Sequence, residues 1–263
     1  MKKSSQNALY VAILPTRDTE TDLVQKVASV IGKDIYGTRL LLAGRVPKIV
    51  ARHDTLEAAE LTGHKLREIG LTTIVCEDSE LRTEPQVFWA HSLQIGEKEI
   101  TFSSMSGQSM KLTPDNAFLI IQGQVEIRET AEVTKTTKKI NLPVALRTGI
   151  PVRRNVSEKT TETAVQTEHL LRLYDKDNSD SSVEMRQHDF DYSSALQKVA
   201  SFSDINFAGL VTRIREAFPL AAFDDRLRGN IGLCLPYTTP WENVNILCKL
   251  IYLFTLSSIN PHS

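Results

Sequence analysis

The hydrophobic residues of this 263-residue chain change their spacing once, close to residue 86. Before that point, short apolar runs alternate with segments whose apolar residues recur every three or four positions, as in amphipathic helices. After it, apolar and polar residues alternate with a period of two, which is typical of half-buried strands. This change predicts an α+β fold with two domains, residues 1–82 and residues 86–263. The length of the chain also suits two domains of ordinary size.

The first domain is predicted to contain, in order, a strand, two helices, a strand, a helix and a strand (βααβαβ). Its strands are the apolar runs 9–14, 46–51 and 71–76. Thr19 and Asp54 precede two of the helical segments as candidate N-caps, and Gly32 and Gly70 follow them as terminators. Because the helices must bury their apolar stripes, we expect them on one face of the sheet, in an α/β sandwich.

A short motif lies within this domain. It consists of Asp54-x-x-Glu57-Ala58-Ala59, then Leu66-x-x-x-Gly70, then the strand Thr73-Ile74-Val75. The stretch resembles the ribosomal L7/L12 C-terminal domain and the related ClpS fold, and the resemblance covers about residues 9–80. Proteins of that fold act as docking modules for other proteins, so the resemblance implies a protein-binding role. The pocket residues with which ClpS binds N-terminal amines are not recognisable here, and that activity is not implied.

The second domain is predicted to be rich in strands and to end in helices. The candidate strands are 87–90, 100–102, 110–112, 117–127, 169–174 and 183–186. Gly123 predicts a bulge in the longest of them. Apolar residues at helical spacing predict helices over 203–217 and 241–256. Over residues 86–220 this pattern resembles the pleckstrin-homology-like barrel of small bacterial proteins, so we expect a barrel-like or sheet domain closed by C-terminal helices.

Residues 129–167 differ from the rest of the chain in being rich in threonine and lysine. Between residues 129 and 160, seven basic residues stand against three acidic ones, a local charge of +4. We expect a mobile surface segment here. The alternative is a contact with nucleic-acid or lipid phosphate, whose affinity would fall steeply with salt. The basic residues available for such an anion contact are Lys135, Lys138, Lys139, Arg153 and Arg154.

Charge and cysteine content exclude several classes of protein. The chain has 31 basic and 32 acidic residues, so nucleic acid and anionic lipid are less expected partners than proteins. Its three cysteines include no C-x-x-C pair, which excludes a zinc knuckle and a dithiol redox motif. The longest apolar run, 246–256, is shorter than the ~20 residues of a membrane span. With no signal-peptide pattern in the sequence, we expect a cytoplasmic protein.

Three segments bear a superficial likeness to catalytic or metal-binding motifs. Gly32–Arg39 lacks the lysine of a phosphate-binding loop and follows a helix instead of a strand. Asp175–Asp180 opens like a calcium loop, but Asp180 and Arg186 stand where that loop needs Gly and Glu. On a strand, the segment His188–Asp191 would present at most two ligands on one face. We therefore expect no catalytic residue, no cofactor and no metal site.

The densest charged cluster near the C-terminus is Phe223–Arg228. Its residues Asp224, Asp225, Arg226 and Arg228 are expected to neutralise one another as ion pairs. The alternative is that they form a docking surface for a partner. The sequence as a whole favours a non-catalytic protein–protein interaction module, such as an adaptor, regulator or assembly component. Anion binding through the basic segment 135–159 is the competing hypothesis.

Overall fold

The computed structural model describes residues 8–16, 20–83, 86–96, 98–140, 153–176, 181–229, 232 and 234–259, with the backbone alone for 128–140, 153–164 and 181. The chain divides into two compact units, Met1–Val125 with Glu168–Ser263, and Glu126–Thr167. The described residues form helices and three sheets, which confirms the expected α+β class. Within the described ranges, no helix is both long enough and apolar enough to cross a bilayer.

Residues 8–83 follow the predicted βααβαβ order. The strands are β1 (Leu9–Ile13), β2 (Lys48–His53) and β3 (Thr73–Glu77). The helices are α1 (Thr21–Ile31), α2 (Ile35–Leu42), α3 (Leu56–Glu68) and α4 (Asp78–Arg82). Strand β1 is central and pairs antiparallel with both of its neighbours. The short helix α4 was not predicted, because five residues give no helical period to detect.

The glycines predicted to end helices do so, but one predicted N-cap is wrong. Gly32 and Gly70 follow α1 and α3 with φ of 64° and 95°, which only glycine adopts without strain. Helix α3 is capped by Thr55, not by Asp54: the Thr55 hydroxyl accepts a backbone N–H three residues on at 3.3 Å. The other predicted cap, Thr19, lies outside the described residues.

A hydrophobic core lies between the first sheet and its helices. Alternate residues of β1 and Val50 of β2 pack in it against aliphatic side chains of α1, α2 and α3, as the apolar stripes predicted. The buried residues of this core are Leu9, Val11, Ile13, Val24, Val27, Leu42, Val50, Ala59, Leu66 and Leu71. They all come from the first 71 residues, which is compatible with the predicted boundary at residues 82–86; that boundary stays a prediction.

The described residues after 83 form two sheets and two long helices. The strands are β4 (Gln86–Trp89), β5 (Ser92–Ile95), β6 (Ile100–Ser103), β7 (Ser109–Leu112), β8 (Ala117–Ile140), β9 (Arg153–Asp175), β10 (Ser181–Arg186) and β11 (Ala222–Leu227). The helices are α5 (Ser203–Ala217) and α6 (Pro240–Ile259). The sheet orders are β5-β6-β7 and β11-β8-β9-β10-β4. Of the barrel-like and sheet alternatives, the described residues form sheets and no closed barrel.

Strands β8 and β9 are much longer than the sequence predicted. Strand β8 continues past residue 127 to Ile140, and β9 already begins at Arg153. The polar composition of this segment predicted a loop, but its threonine and valine residues favour extended backbone. The portions at 126–140 and 153–167 belong to the second compact unit. The mobility expected for 129–167 stays a prediction, and residues 141–152 lie outside the described ones.

The five-stranded sheet is covered by a different helix on each face. On β9, Leu171 and Leu173 belong to the core that the sheet shares with β5–β7 and with α5. Because side chains alternate along a strand, Arg172 and Tyr174 point to the opposite face. There they meet α6, through Asn245 and a Tyr174–Tyr252 ring contact. The predicted helices that close this part of the chain are therefore confirmed.

Candidate functional site

The charged cluster predicted near the C-terminus is internally paired, on a strand. Arg226 donates from Nε to Asp224 Oδ2 at 2.8 Å within β11. Arg45, which the sequence pattern did not include, donates to Asp225 at 2.8 Å, and Arg228 lies 3.9 Å from the same carboxylate. The expected ion pairing is observed. The docking alternative for these residues stays a prediction.

The residues predicted to contact anions lie on the two longest strands. Lys135, Lys138 and Lys139 are on β8, and Arg153 and Arg154 begin β9. Their side chains lie outside the described ones, so the anion contact stays a prediction. Within the described ranges, no group of three or more His, Cys, Asp or Glu residues is placed to hold a metal ion.

The chain contains two tryptophans, and both contact the same arginine. The guanidinium carbon of Arg186 lies 4.9 Å from the ring centroid of Trp89 and 4.0 Å from that of Trp241. Trp89 ends the edge strand β4 and is 63% exposed. Arg186 and Trp241, from the end of β10 and the first turn of α6, are half-buried. We call these three residues the Trp–Arg–Trp site.

A buried carboxylate holds the arginine of this site in place. Glu184 pairs with Trp89 on one side and with Arg172 on the other, so the three side chains share a face of the sheet. Arg186 lies two residues further along the same face. Its Nε donates to Oε1 of Glu184 at 2.7 Å. The position of the guanidinium is thus fixed both by a charge-assisted hydrogen bond and by two aromatic rings.

The other oxygen of Glu184 binds a second arginine. Arg172 donates to Oε2 from Nε at 2.9 Å and also from Nη2, and Nη2 donates to Asn245 Oδ1 at 2.7 Å. Two guanidiniums therefore share one carboxylate, which leaves one formal positive charge in excess. Burial by itself would lower the pKa of Arg172, but the carboxylate of Glu184 opposes this and the net shift is upward. Arg172 is charged at every physiological pH.

Helix α6 completes the site because its sheet-facing side chains recur at helical spacing. Trp241, Asn245, Cys248 and Tyr252 lie four, three and four positions apart, which places them along one helix face. Burial raises the pKa of Cys248 to about 11, against the opposing effect of Arg172. Its thiol is therefore neutral at physiological pH and contributes packing, not charge.

The first turn of α6 is fixed by a capping box. The backbone N–H of Thr239 donates to Glu242 Oε2 at 2.6 Å, and the Glu242 N–H donates to Thr239 Oγ1 at 3.2 Å. This reciprocal pair sets where the helix begins. Trp241 lies between the two capping residues, so its ring is held at the end of a well-defined helix. The Thr-x-x-Glu spacing of this capping box is visible in the sequence.

Sequence reasoning missed the Trp–Arg–Trp site because its residues lie far apart in the chain. Two signals were present: Trp89 and Arg186 lie in the predicted strands 87–90 and 183–186, and Trp241 begins the predicted helix 241–256. Neither signal indicates that β4 and β10 are neighbours. That pairing is parallel and joins residues about one hundred positions apart, and only the fold reveals it.

This arrangement is suited to non-covalent binding. Trp and Arg are the residue types that contribute most free energy at protein interfaces, particularly where they are ordered before the partner arrives. Comparison of the chain with protein-family models, with curated proteins and with solved structures finds no match. The chemistry of the site itself is therefore the basis for a functional proposal.

Proposed function

We propose that this protein is a non-catalytic protein-interaction module, acting as an adaptor, regulator or assembly component, that docks its partner on the Trp–Arg–Trp site. The observation that carries the proposal is the exposed indole of Trp89 beside an arginine anchored by buried Glu184. The resemblance of residues 9–80 to docking modules supports the same class of function. The three cysteines of the protein are free, which suits the reducing cytoplasm.

The side chains of this site are ordered before a partner binds, unlike most exposed side chains. A binding surface loses free energy when its flexible side chains must be ordered on association. Arg186 is already restrained by Glu184 and by two rings, so little of this cost remains. An indole has only two rotatable side-chain bonds, and Trp89 stands at the edge of a sheet where a partner has access.

The experiment is affinity capture with the tagged full-length protein, using W89A and a matched control. Tyr36 on α2 is 74% exposed, so Y36A removes an exposed aromatic side chain that is not part of the Trp–Arg–Trp site. We expect one discrete set of proteins to remain bound to wild type and Y36A after nuclease treatment, and to be lost with W89A. Thermal unfolding of the three proteins controls for folding.

Two results would contradict the proposal. Capture that is unaffected by W89A would place the docking surface elsewhere on the chain. Capture that disappears after nuclease treatment would favour the basic segment 135–159, because the phosphates of a nucleic acid would then supply the binding.

A further inference from the structure

We infer that the partner presents an acidic peptide segment, in which an Asp or Glu carboxylate binds the guanidinium of Arg186 while an apolar neighbour packs on Trp89. The inference rests on the proposed function and adds the chemical class of the partner. It depends on the charge balance of the site, on the donors that Arg186 keeps available, and on the aromatic surface beside them.

The charge of the site is not balanced within the protein. Glu184 is the one carboxylate that contacts Arg172 and Arg186 in the described part of the chain, and it binds both. Glu242, in the first turn of α6, accepts a hydrogen bond from the backbone N–H of Thr239. A surface with a fixed positive charge in excess attracts a partner of opposite sign and disfavours a basic one.

The donors of Arg186 are only partly used. Its hydrogen bonds to described residues are made by Nε, which leaves both terminal nitrogens for a ligand. Its side chain is 25% exposed, so these donors are reached from solvent at one side. A guanidinium offers a planar pair of N–H groups that match the two oxygens of a carboxylate. Because the indole rings displace water around the ion, such a bond is stronger than one at a fully hydrated surface.

The ring of Trp89 determines what must accompany the carboxylate. It is largely exposed and lies within contact of the same guanidinium. An aliphatic or aromatic side chain next to the acidic residue would cover this ring and remove its apolar surface from water. An acidic residue beside a bulky apolar residue is therefore the minimal recognition element for this site.

The test is selection of random twelve-residue peptides displayed on phage against the full-length protein, followed by affinity measurement on synthetic peptides. Binding is read from intrinsic fluorescence, since both tryptophans of the chain lie in the site. We expect the selected peptides to share an Asp or Glu next to an apolar residue. Replacing that acid by Asn or Gln should weaken binding about tenfold or more.

The second part of the test measures peptide binding to variants of the protein itself. R186Q should weaken binding to about the same extent as removal of the peptide carboxylate, with no further loss when both changes are combined. R186K keeps the charge but loses the planar fork, and we expect an intermediate affinity. R213Q is the control, because Arg213 is an exposed arginine of α5 paired with Glu216. Circular dichroism confirms that each variant is folded.

The outcomes separate this inference from the proposed function. If the selected peptides lose affinity for W89A but share no acidic residue, or bind R186Q as tightly as wild type, the inference of an acidic partner is wrong and the docking site is retained. Peptides that bind W89A as well as wild type would overturn both. Selection of no peptide that binds wild type would contradict the proposed docking function itself.

Discussion

Arg172 and Glu184 lie directly opposite each other on β9 and β10, and their side chains are only 2% and 0% exposed. A buried ion pair of this kind gains little over a well-packed apolar pair, because both ions lose their hydration. Breaking it from one side is costly, since a charge then stays buried without its partner. Here the carboxylate also anchors Arg186, so the pair links the interior of the sheet to the Trp–Arg–Trp site.

The first prediction concerns this pair. E184Q leaves two guanidiniums without a counter-charge and should lower the free energy of unfolding by about 3–5 kcal/mol. R172M leaves Glu184 paired with Arg186 alone, so its cost should be smaller than that of E184Q. Urea unfolding followed by far-ultraviolet circular dichroism measures the change. R213Q removes an exposed arginine that lies 3.5 Å from Glu216, and should cost at most about 1 kcal/mol. Equal costs for R172M and R213Q would contradict the buried network.

The sequence predicted the fold best where one face of an element is apolar and the other polar. Helix α5 begins and ends at the predicted residues, because Phe207, Leu210 and Ile214 recur at helical spacing. Strand β11 was missed, since its Asp-Asp-Arg sequence reads as a charged turn. It is a strand because it pairs parallel with β8, and a contact between residues about one hundred positions apart leaves no local pattern.

The candidate site was less predictable than the fold for the same reason. Trp89 and Arg186 were both placed near the ends of predicted strands, but the pairing of β4 with β10 depends on the whole sheet. Arg172 reads as one polar residue in an apolar strand. Its burial and its carboxylate partner follow from tertiary packing, which overrides the ordinary expectation that an arginine lies at the surface.

The second prediction concerns the glycine that predicted a bulge. Opposite Gly123, the register between β8 and β11 shifts, and the additional residue lies on β11. A Cβ at Gly123 would come within 3.1 Å of Leu227 Cβ, so G123A should destabilise the protein by about 1–3 kcal/mol. Gly229 has open space around it, and G229A is the matched control. Thermal unfolding compares the two, and similar melting temperatures would contradict the close approach.

The third prediction concerns thiol reactivity. Burial raises the pKa of Cys76 to about 12 and that of Cys234 to about 11, so the reactive thiolate is scarce at pH 8. We expect slow labelling of the native protein by a thiol reagent, and full labelling of all three cysteines in denaturant. Cys234 is the least buried of the three and should react first. Mass spectrometry of the labelled sites checks the order, and earlier labelling of Cys248 would contradict the packing of α6.

The last prediction concerns the capping box of α6. The Thr239 N–H, and to a lesser extent its hydroxyl, hold the pKa of Glu242 below its ordinary value. A carboxylate whose pKa is lowered by folding stabilises the folded state above its unfolded pKa, and this stabilisation is lost as the pH falls through the folded pKa. E242Q keeps the shape of the side chain but removes its charge.

We therefore expect E242Q to melt below wild type at pH 7, with a difference that shrinks as the pH is lowered through the acidic range. Thermal unfolding of both proteins across that range measures the difference. Trp241 lies next to Glu242 in the first turn of α6, so a frayed first turn should also alter the fluorescence of Trp241. A melting difference that is independent of pH would show that the cap does not depend on the charge of Glu242.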